Sequence, residues 1–238
     1  VKLLSTLDER LKLMNSLGVD CTLVIPFTYQ FSRLTSKEFY EHYVVNKVGV
    51  LEVIEGSDHM FGRDREANIE TLKKLGTRFG FHVIAAITVV WNGDAISSSK
   101  IREALLRGEV DQAEILLGSP YSLSGIVVKG DGRGAQLGYP TANINPTSGK
   151  KLIPAEGVYV VGVEYDAEQH YGMLNIGVRP TFSSQLDRVI EVHILDVHGN
   201  LYGKQLTVHF HKRLRQEKKF SSKEELIAQL HQDRNECM

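Results

Sequence analysis

The chain has 238 residues, 42% of them apolar and 24% charged, with a formal net charge of −1. That composition suits a globular protein with one large or two modest cores, gives no electrostatic reason for a nucleic acid or an anionic membrane as partner, and contains no run near the ~20 apolar residues of a membrane span. Cys21 and Cys237 are far apart and lack metal-ligand spacing, which excludes a disulfide framework and makes the cytoplasm the expected compartment.

Residues 1–118 alternate helix and strand. Thr6-x-x-Glu9 is a capping box for a helix carrying Leu7, Leu11, Met14 and Leu17, with Gly18 as its stop. The chain begins at Val1 and runs almost at once into this amphipathic helix, so an N-terminal portion of the natural protein is expected to be missing. The continuous apolar run 21–27 predicts a strand covered on both faces. Thr35-x-x-Glu38 caps the next helix, 50–54 reads as a strand, and Leu72, Leu75 and Phe79 mark one face of a further helix. A third buried strand is predicted over 81–90, and the alternation implies a parallel α/β sheet. Two short helices, 99–107 and 110–117, follow on either side of Gly108.

The Ser119-Pro120 step disfavours helix at its first residue and marks the boundary between a domain of residues 1–118 and one of residues 119–238. From Tyr121 the texture changes to short strands, predicted over 125–128, 157–165, 171–176, 189–195 and 205–210, with 196–200 as a hairpin turn. Such spacing reads as a small antiparallel barrel. Ser222-x-x-Glu225 caps a last helix with Leu226, Ile227 and Leu230 on one side.

The chemistry concentrates in residues 130–143. Gly130, Gly132, Gly134 and Gly138 allow positive φ and let backbone N–H groups approach phosphate oxygens, and Arg133 adds a cation. Beyond them Thr141 and Asn143 alternate on an extended segment and point the same way, a hydroxyl and a carboxamide suited to Mg²⁺. A dinucleotide fingerprint also fits the glycine spacing, but it must open a helix, and Pro140 and Pro146 bracket a segment with no helical period. A plain hairpin loop is the other reading, which the Pro140-Thr141-x-Asn143 tail disfavours. Downstream, Glu191 and His193 share one face of a strand whose other face carries Ile190, Val192 and Ile194, so Glu191 points away from the core.

The run from Gly130 to Asn143, followed by Asn175-Ile176-Gly177-Val178-Arg179-Pro180-Thr181-Phe182 and Glu191-Val192-His193-Ile194, resembles the riboflavin kinase domain. Upstream, residues 96–102 and 116–121 are similar to the end of the adenylyltransferase half of bacterial bifunctional riboflavin kinase/FAD synthetases. The resemblance covers nearly the whole chain. It implies an α/β plus β architecture: a Rossmann-like nucleotidyltransferase domain, incomplete at its N-terminus, then a small antiparallel β-barrel with a C-terminal helix. It implies ATP-dependent phosphorylation of riboflavin to FMN with Mg²⁺, and FMN adenylylation to FAD in the full-length protein.

Carried over by residue, the resemblance makes Glu191 the catalytic base. It gives Gly130, Gly132, Arg133, Gly134, Gly138 and Pro140 to the ATP phosphates, Thr141 and Asn143 to Mg²⁺, and Asn175, Arg215 and Phe220 to the flavin or a lid over it. Gln216 stands where relatives commonly carry proline. In the upstream half it assigns Asp58, Gly62, Arg63, Ser98, Ser99 and Arg102 to a nucleotide site, with a helix N-terminus favouring phosphate at 98–102. The last three read equally well as a capping serine run followed by a surface arginine. No His-x-Gly-His occurs among the nine histidines, so residues 1–238 by themselves are expected to make FMN and no FAD. The partners implied are small-molecule substrates. The alternatives are a non-catalytic flavin-binding or sensory barrel, which would keep the pocket without phosphoryl transfer, and a nucleic-acid-binding barrel, which the near-neutral charge disfavours.

Overall fold

Capping chemistry delimits the helices. In the computed structural model, which describes all residues except 57–58, 66, 131, 133, 167, 180–186, 198 and 238 and the side chains of 64, 179 and 187, Thr6 and Glu9 form the reciprocal box at the start of α1 (Leu7–Ser16). Thr28 caps α2 (Tyr29–Ser32), and the Thr35/Glu38 box opens α3 (Ser36–Phe39), which continues into a π-helical stretch, Tyr40–Val48, closed by Gly49 in the left-handed region. β1 (Glu52–Gly56), α4 (Ile69–Phe79) and β2 (His82–Ala86) follow, with β1 and β2 parallel and Glu52 opposite His82. Tyr40, Leu72, Leu75 and Phe81 form the core of this part.

Two expectations fail here. Residues 21–27 form no strand, and Leu23, Val24 and Phe27 are exposed. A strand needs a neighbour for its N–H and C=O groups, and among the described residues none pairs with this run. The strand expected over 81–90 stops at Ala86. Val90 instead opens a two-residue hairpin, β3 (Val90–Trp91) with β4 (Asp94–Ala95), because Asn92 and Gly93 both have positive φ, as a type I′ turn demands.

The next helices are α5 (Ser98–Arg107) and α6 (Val110–Leu117), separated by Gly108 at φ 80°. Then come β5 (Tyr121–Val128), β6 (Ala142–Pro146), β7 (Gly157–Tyr165), β8 (Glu168–Arg179), β9 (Asp187–Ile194), β10 (Gln205–Arg215) and α7 (Lys223–Asn235). The six strands close into a barrel of order β10-β5-β6-β9-β8-β7 in which every pairing is antiparallel. Leu123, Tyr159, Val161, Leu174, Val192, Val208 and Phe210 fill it and have no exposed surface. Closure removes the free edges that an open sheet of this size would present. The expected hairpin at 196–200 is a correction: both edges of β9 are taken, by β6 and β8, so the chain leaves β9 and crosses to β10 between β5 and β7.

Contacts divide the chain into two compact units, Met14–Ile96 and the combination of Val1–Leu13 with Ser97–Met238. The barrel's unit therefore takes in the N-terminal strap. Leu3 bridges to Lys151, whose side chain is only 3% exposed and whose ammonium donates to the Leu4 carbonyl at 2.8 Å and to Glu9 Oε2 at 2.6 Å. Burial lowers the Lys151 pKa, against the opposing pull of Glu9.

Candidate functional site in the barrel

Register fixes the centre of the site. Asn143 on β6 is the cross-strand partner of Glu191 on β9, Glu191 of Asn175 on β8, Asn175 of Val158 on β7, and Val158 of Arg215 on β10. Directly opposed residues point to the same face of a sheet, so one side chain from each of five adjacent strands forms a row on the barrel's outer face. The inward neighbours Ile190, Val192 and Ile194 are buried, which holds this register, because a one-residue slip would turn Glu191 into the core.

Four members of the row, Glu191, Asn175, Val158 and Arg215, open on a cavity of about 490 Å³. Thr141, Asn175, Glu191 and Arg215 line it with the apolar side chains of Leu137, Phe220, Leu226 and Leu230. A second cavity, of about 430 Å³, lies beside Gly132, Pro140, Asn200 and Tyr202. Thr141 lines both.

Between the two runs the glycine loop. A Cβ on Gly130 would stand 2.1 Å from the Asn143 carboxamide nitrogen, and one on Gly134 would stand 2.3 Å from the Tyr139 carbonyl and 3.2 Å from the Thr141 hydroxyl. Side-chain-free backbone is what lets the loop lie against Thr141 and Asn143. Gly132 and Gly138 hold left-handed φ of 69° and 83°. Both candidate oxygen donors thus lie at the base of a close-packed backbone loop, which fits a cation that completes its shell with phosphate oxygens and water. Arg133 lies outside the described residues.

At the far side of the larger cavity Arg215 is held by Asp233 of α7: Nε donates to both carboxylate oxygens at 3.1 Å and Nη2 to Oδ2 at 2.8 Å. Asp233 is 2% exposed and also accepts from Gln229 Nε2 at 2.9 Å. The guanidinium lies 5.6 Å from the centre of the Phe220 ring. Much of its hydrogen-bonding capacity is therefore committed to α7. His193 donates from Nδ1 to the Pro140 carbonyl at 2.8 Å, which leaves Nε2 as the acceptor nitrogen of the neutral ring.

In the upstream residues, the N-cap of α5 is Ser97, whose hydroxyl accepts from Lys100 N–H; Ser98 and Ser99 occupy the first helical positions and are exposed. Arg102 Nε donates to the Lys2 carbonyl at 2.9 Å. Gly62, at φ 78°, lines a separate cavity of about 500 Å³ walled by Phe27, Phe31, Phe39, Tyr40 and Phe61. Arg63 follows it, its N–H bonded to the Leu34 carbonyl. Asp58 lies outside the described residues. Gly62 and Arg63 belong to the unit Met14–Ile96, whereas Ser98, Ser99 and Arg102 belong to the barrel's unit.

Sequence reasoning missed Tyr139, Glu217 and Asp233, all of which line the larger cavity. For Asp233 a partial signal existed: a strand arginine beside apolar residues requires an acid, and the last helix carries three, Glu224, Glu225 and Asp233. Glu217 packs over Gly177, where a Cβ would meet its carboxylate, and no local pattern announces that contact.

Comparison with known proteins matches two families in succession along the chain. The family model described as riboflavin kinase matches residues 117–238, and that described as FAD synthetase matches residues 1–100. The chain is 39% identical over 216 residues to a bifunctional riboflavin kinase/FMN adenylyltransferase of Pseudomonas fluorescens, covering 91% of this chain and 69% of the relative. It is 39% identical over 234 residues to the protein of that description from Listeria monocytogenes, with coverage of 98% and 73%, and 38% identical over 231 residues to that of Escherichia coli K12, with coverage of 97% and 73%. A crystal structure described as a macrolide-efflux protein from Streptococcus pneumoniae superposes with a TM-score of 0.90 at 34% identity, over 98% of this chain and 74% of that one. Among the described residues no helix is long and apolar enough to cross a membrane.

Proposed function

We propose that this chain, which belongs to the bifunctional riboflavin kinase/FMN adenylyltransferase family of flavin cofactor biosynthesis, phosphorylates riboflavin at the cavity beside Glu191. The observation that carries the reading is that Glu191 and Asn175, adjacent in the row with Asn143 on the other side of Glu191, open on a cavity that shares Thr141 with a second one. The larger cavity has apolar walls in Leu226, Leu230 and Phe220 for an isoalloxazine ring; the smaller one, beside the glycine loop, takes the nucleotide.

Phosphoryl transfer to an alcohol needs positioning, charge neutralisation and a proton acceptor. Glu191 accepts the proton of the ribityl hydroxyl as its oxygen bonds to the γ-phosphorus and the bond to the ADP oxygen breaks. Backbone N–H groups of the glycine loop hold the phosphates. Thr141 and Asn143 would hold Mg²⁺, which when bound neutralises charge on the transferring phosphate. Asn175, beside Glu191, orients the hydroxyl, and Arg215, fixed by Asp233, closes the flavin side. The kinase reading makes no use of Met14–Ile96. We place the reaction in the cytoplasm.

The test is product formation. Purified protein given riboflavin, ATP and Mg²⁺ should accumulate FMN, separated chromatographically, and Glu191→Gln should keep riboflavin affinity while lowering turnover by ~10²–10⁴, the usual worth of a positioned base. Unchanged turnover in that variant refutes the base, and the absence of FMN from the wild type refutes the reading.

A further inference from the structure

Tyr139 sits where the glycine loop, β9 and the C-terminal helix meet. It is 5% exposed, its ring packs edge-on against His193 of β9 at 5.1 Å and His231 of α7 at 5.6 Å, and its hydroxyl is hydrogen-bonded to His231 Nδ1 at 2.8 Å. Its own N–H donates to the Gly134 carbonyl at 2.9 Å, and the next carbonyl, that of Pro140, accepts from His193. Two residues further on stands Thr141, shared by the two cavities. The helix carrying His231 also carries Leu226, Leu230 and Asp233, three walls of the larger cavity.

We propose that Tyr139, through its bond to His231, is the positioning residue that transmits the placement of α7 to Thr141 and so couples occupancy of the larger cavity to nucleotide binding beside the glycine loop. The inference rests on the assignment of riboflavin to the larger cavity and ATP to the smaller. A ligand packed against Leu226 and Leu230 favours one placement of α7. That placement fixes the Tyr139 hydroxyl, the rigid ring fixes the end of the loop against His193, and Thr141 follows within two residues. Coupling of this kind is reciprocal: whatever factor the nucleotide adds to flavin affinity, flavin adds to nucleotide affinity. Tyr139 lines the larger cavity but its partner His231 lines neither, so loss of the bond from the His231 side acts on the pair of ligands more than on each.

The experiment measures riboflavin affinity by flavin fluorescence, with and without Mg²⁺ and a non-hydrolysable ATP analogue, in the full chain. The wild type should bind riboflavin more tightly with the analogue present. His231→Leu, at a side chain that lines neither cavity, should lower that ratio by about threefold to tenfold, the worth of one buried hydrogen bond, while riboflavin affinity alone changes by less than about twofold. Tyr139→Phe, which keeps the ring and removes the hydroxyl, should lower the ratio to the same extent. His231→Gln, which keeps a hydrogen-bonding partner, should restore the ratio, and combining Tyr139→Phe with His231→Leu should add nothing to either single change, because both remove one bond. An unchanged ratio in Tyr139→Phe, multiplicative losses in the double variant, or a wild type with no coupling overturns the proposal while leaving the kinase reading intact. A wild type that binds neither ligand overturns the kinase reading and this inference with it.

Discussion

Replacing Asp233 by alanine removes a carboxylate that is 2% exposed and strips Arg215 of its three contacts at 2.8–3.1 Å, leaving a guanidinium whose side chain is itself only 19% exposed. What remains to Arg215 is the Gln216 carbonyl at 3.3 Å and the Phe220 ring. Breaking a buried pair from one side costs ~3–5 kcal/mol, and since Arg215 keeps a path to solvent the lower end applies, about 3 kcal/mol. At ~2–4 °C per kcal/mol for a chain of this size, the unfolding midpoint should fall by roughly 6–12 °C. Converting both partners to apolar residues, Asp233→Leu with Arg215→Met, should recover most of the loss, because no charge is then stranded. That double variant should still bind riboflavin poorly, as Arg215 lines the cavity, so stability and binding separate. The assay is thermal unfolding followed by near-ultraviolet circular dichroism, arranged as a double-mutant cycle, with riboflavin affinity measured alongside. A midpoint for Asp233→Ala within about 2 °C of wild type, or a double variant as unstable as the single, refutes the reasoning.

Thr141→Ala and Asn143→Ala should each raise the KM for Mg·ATP with little change in riboflavin affinity, and added Mg²⁺ should restore part of the rate; loss of riboflavin affinity at unchanged Mg²⁺ dependence contradicts the assignment. Gly134→Ala should weaken nucleotide use, since its Cβ would press on the Tyr139 carbonyl, a backbone atom with no rotamer to escape to; kinetics at wild-type values disprove the close packing. The Tyr159 hydroxyl donates to the Ala155 carbonyl at 2.6 Å, and burial pushes its pKa up to about 12. The folded state then holds more protons than the unfolded state between pH ~10 and about 12, so this contribution to stability is complete below pH ~10 and is lost as pH rises through that window. Tyr159→Phe should flatten the alkaline limb of a denaturant-midpoint profile, and an unchanged limb rejects that cause.

Local chemistry was legible in the sequence. The boxes at Thr6/Glu9 and Thr35/Glu38 and the Ser222 cap each form where the spacing placed them, since a cap is written within four residues. The alternation over 189–194 likewise put Ile190, Val192 and Ile194 inside. Run 21–27 failed because apolar content reports a preference for burial and cannot supply a partner strand. The connection at 196–200 failed because turn residues say that the chain bends and are silent about whether the edge it would fold back on is free. At 97–99 three consecutive serines left the cap ambiguous, and Ser97 took it. The barrel site was legible as a set of residue types and illegible as an arrangement. Nothing near Glu191 in sequence names Asn143 and Asn175 as its lateral neighbours, and the Tyr139–His231 bond spans 92 positions.

The five-strand row also bears on how activity first arises. Its members, from Asn143 to Arg215, sit in a barrel in which three of the six pairings, β6 with β9 and β10 with both β5 and β7, join strands distant in sequence, and the barrel closes only when β10 makes the last two. Topologies dominated by such distant pairings fold slowly, because each loop must close before its contacts repay the lost entropy. A nascent chain that has emerged as far as β9 has its proposed base and both oxygen donors but lacks Arg215, Phe220 and α7, so two walls of the larger cavity do not yet exist. In refolding, therefore, turnover should return in step with the last long-range pairing, with no early fraction, and partly folded chains should be unable to spend ATP on water.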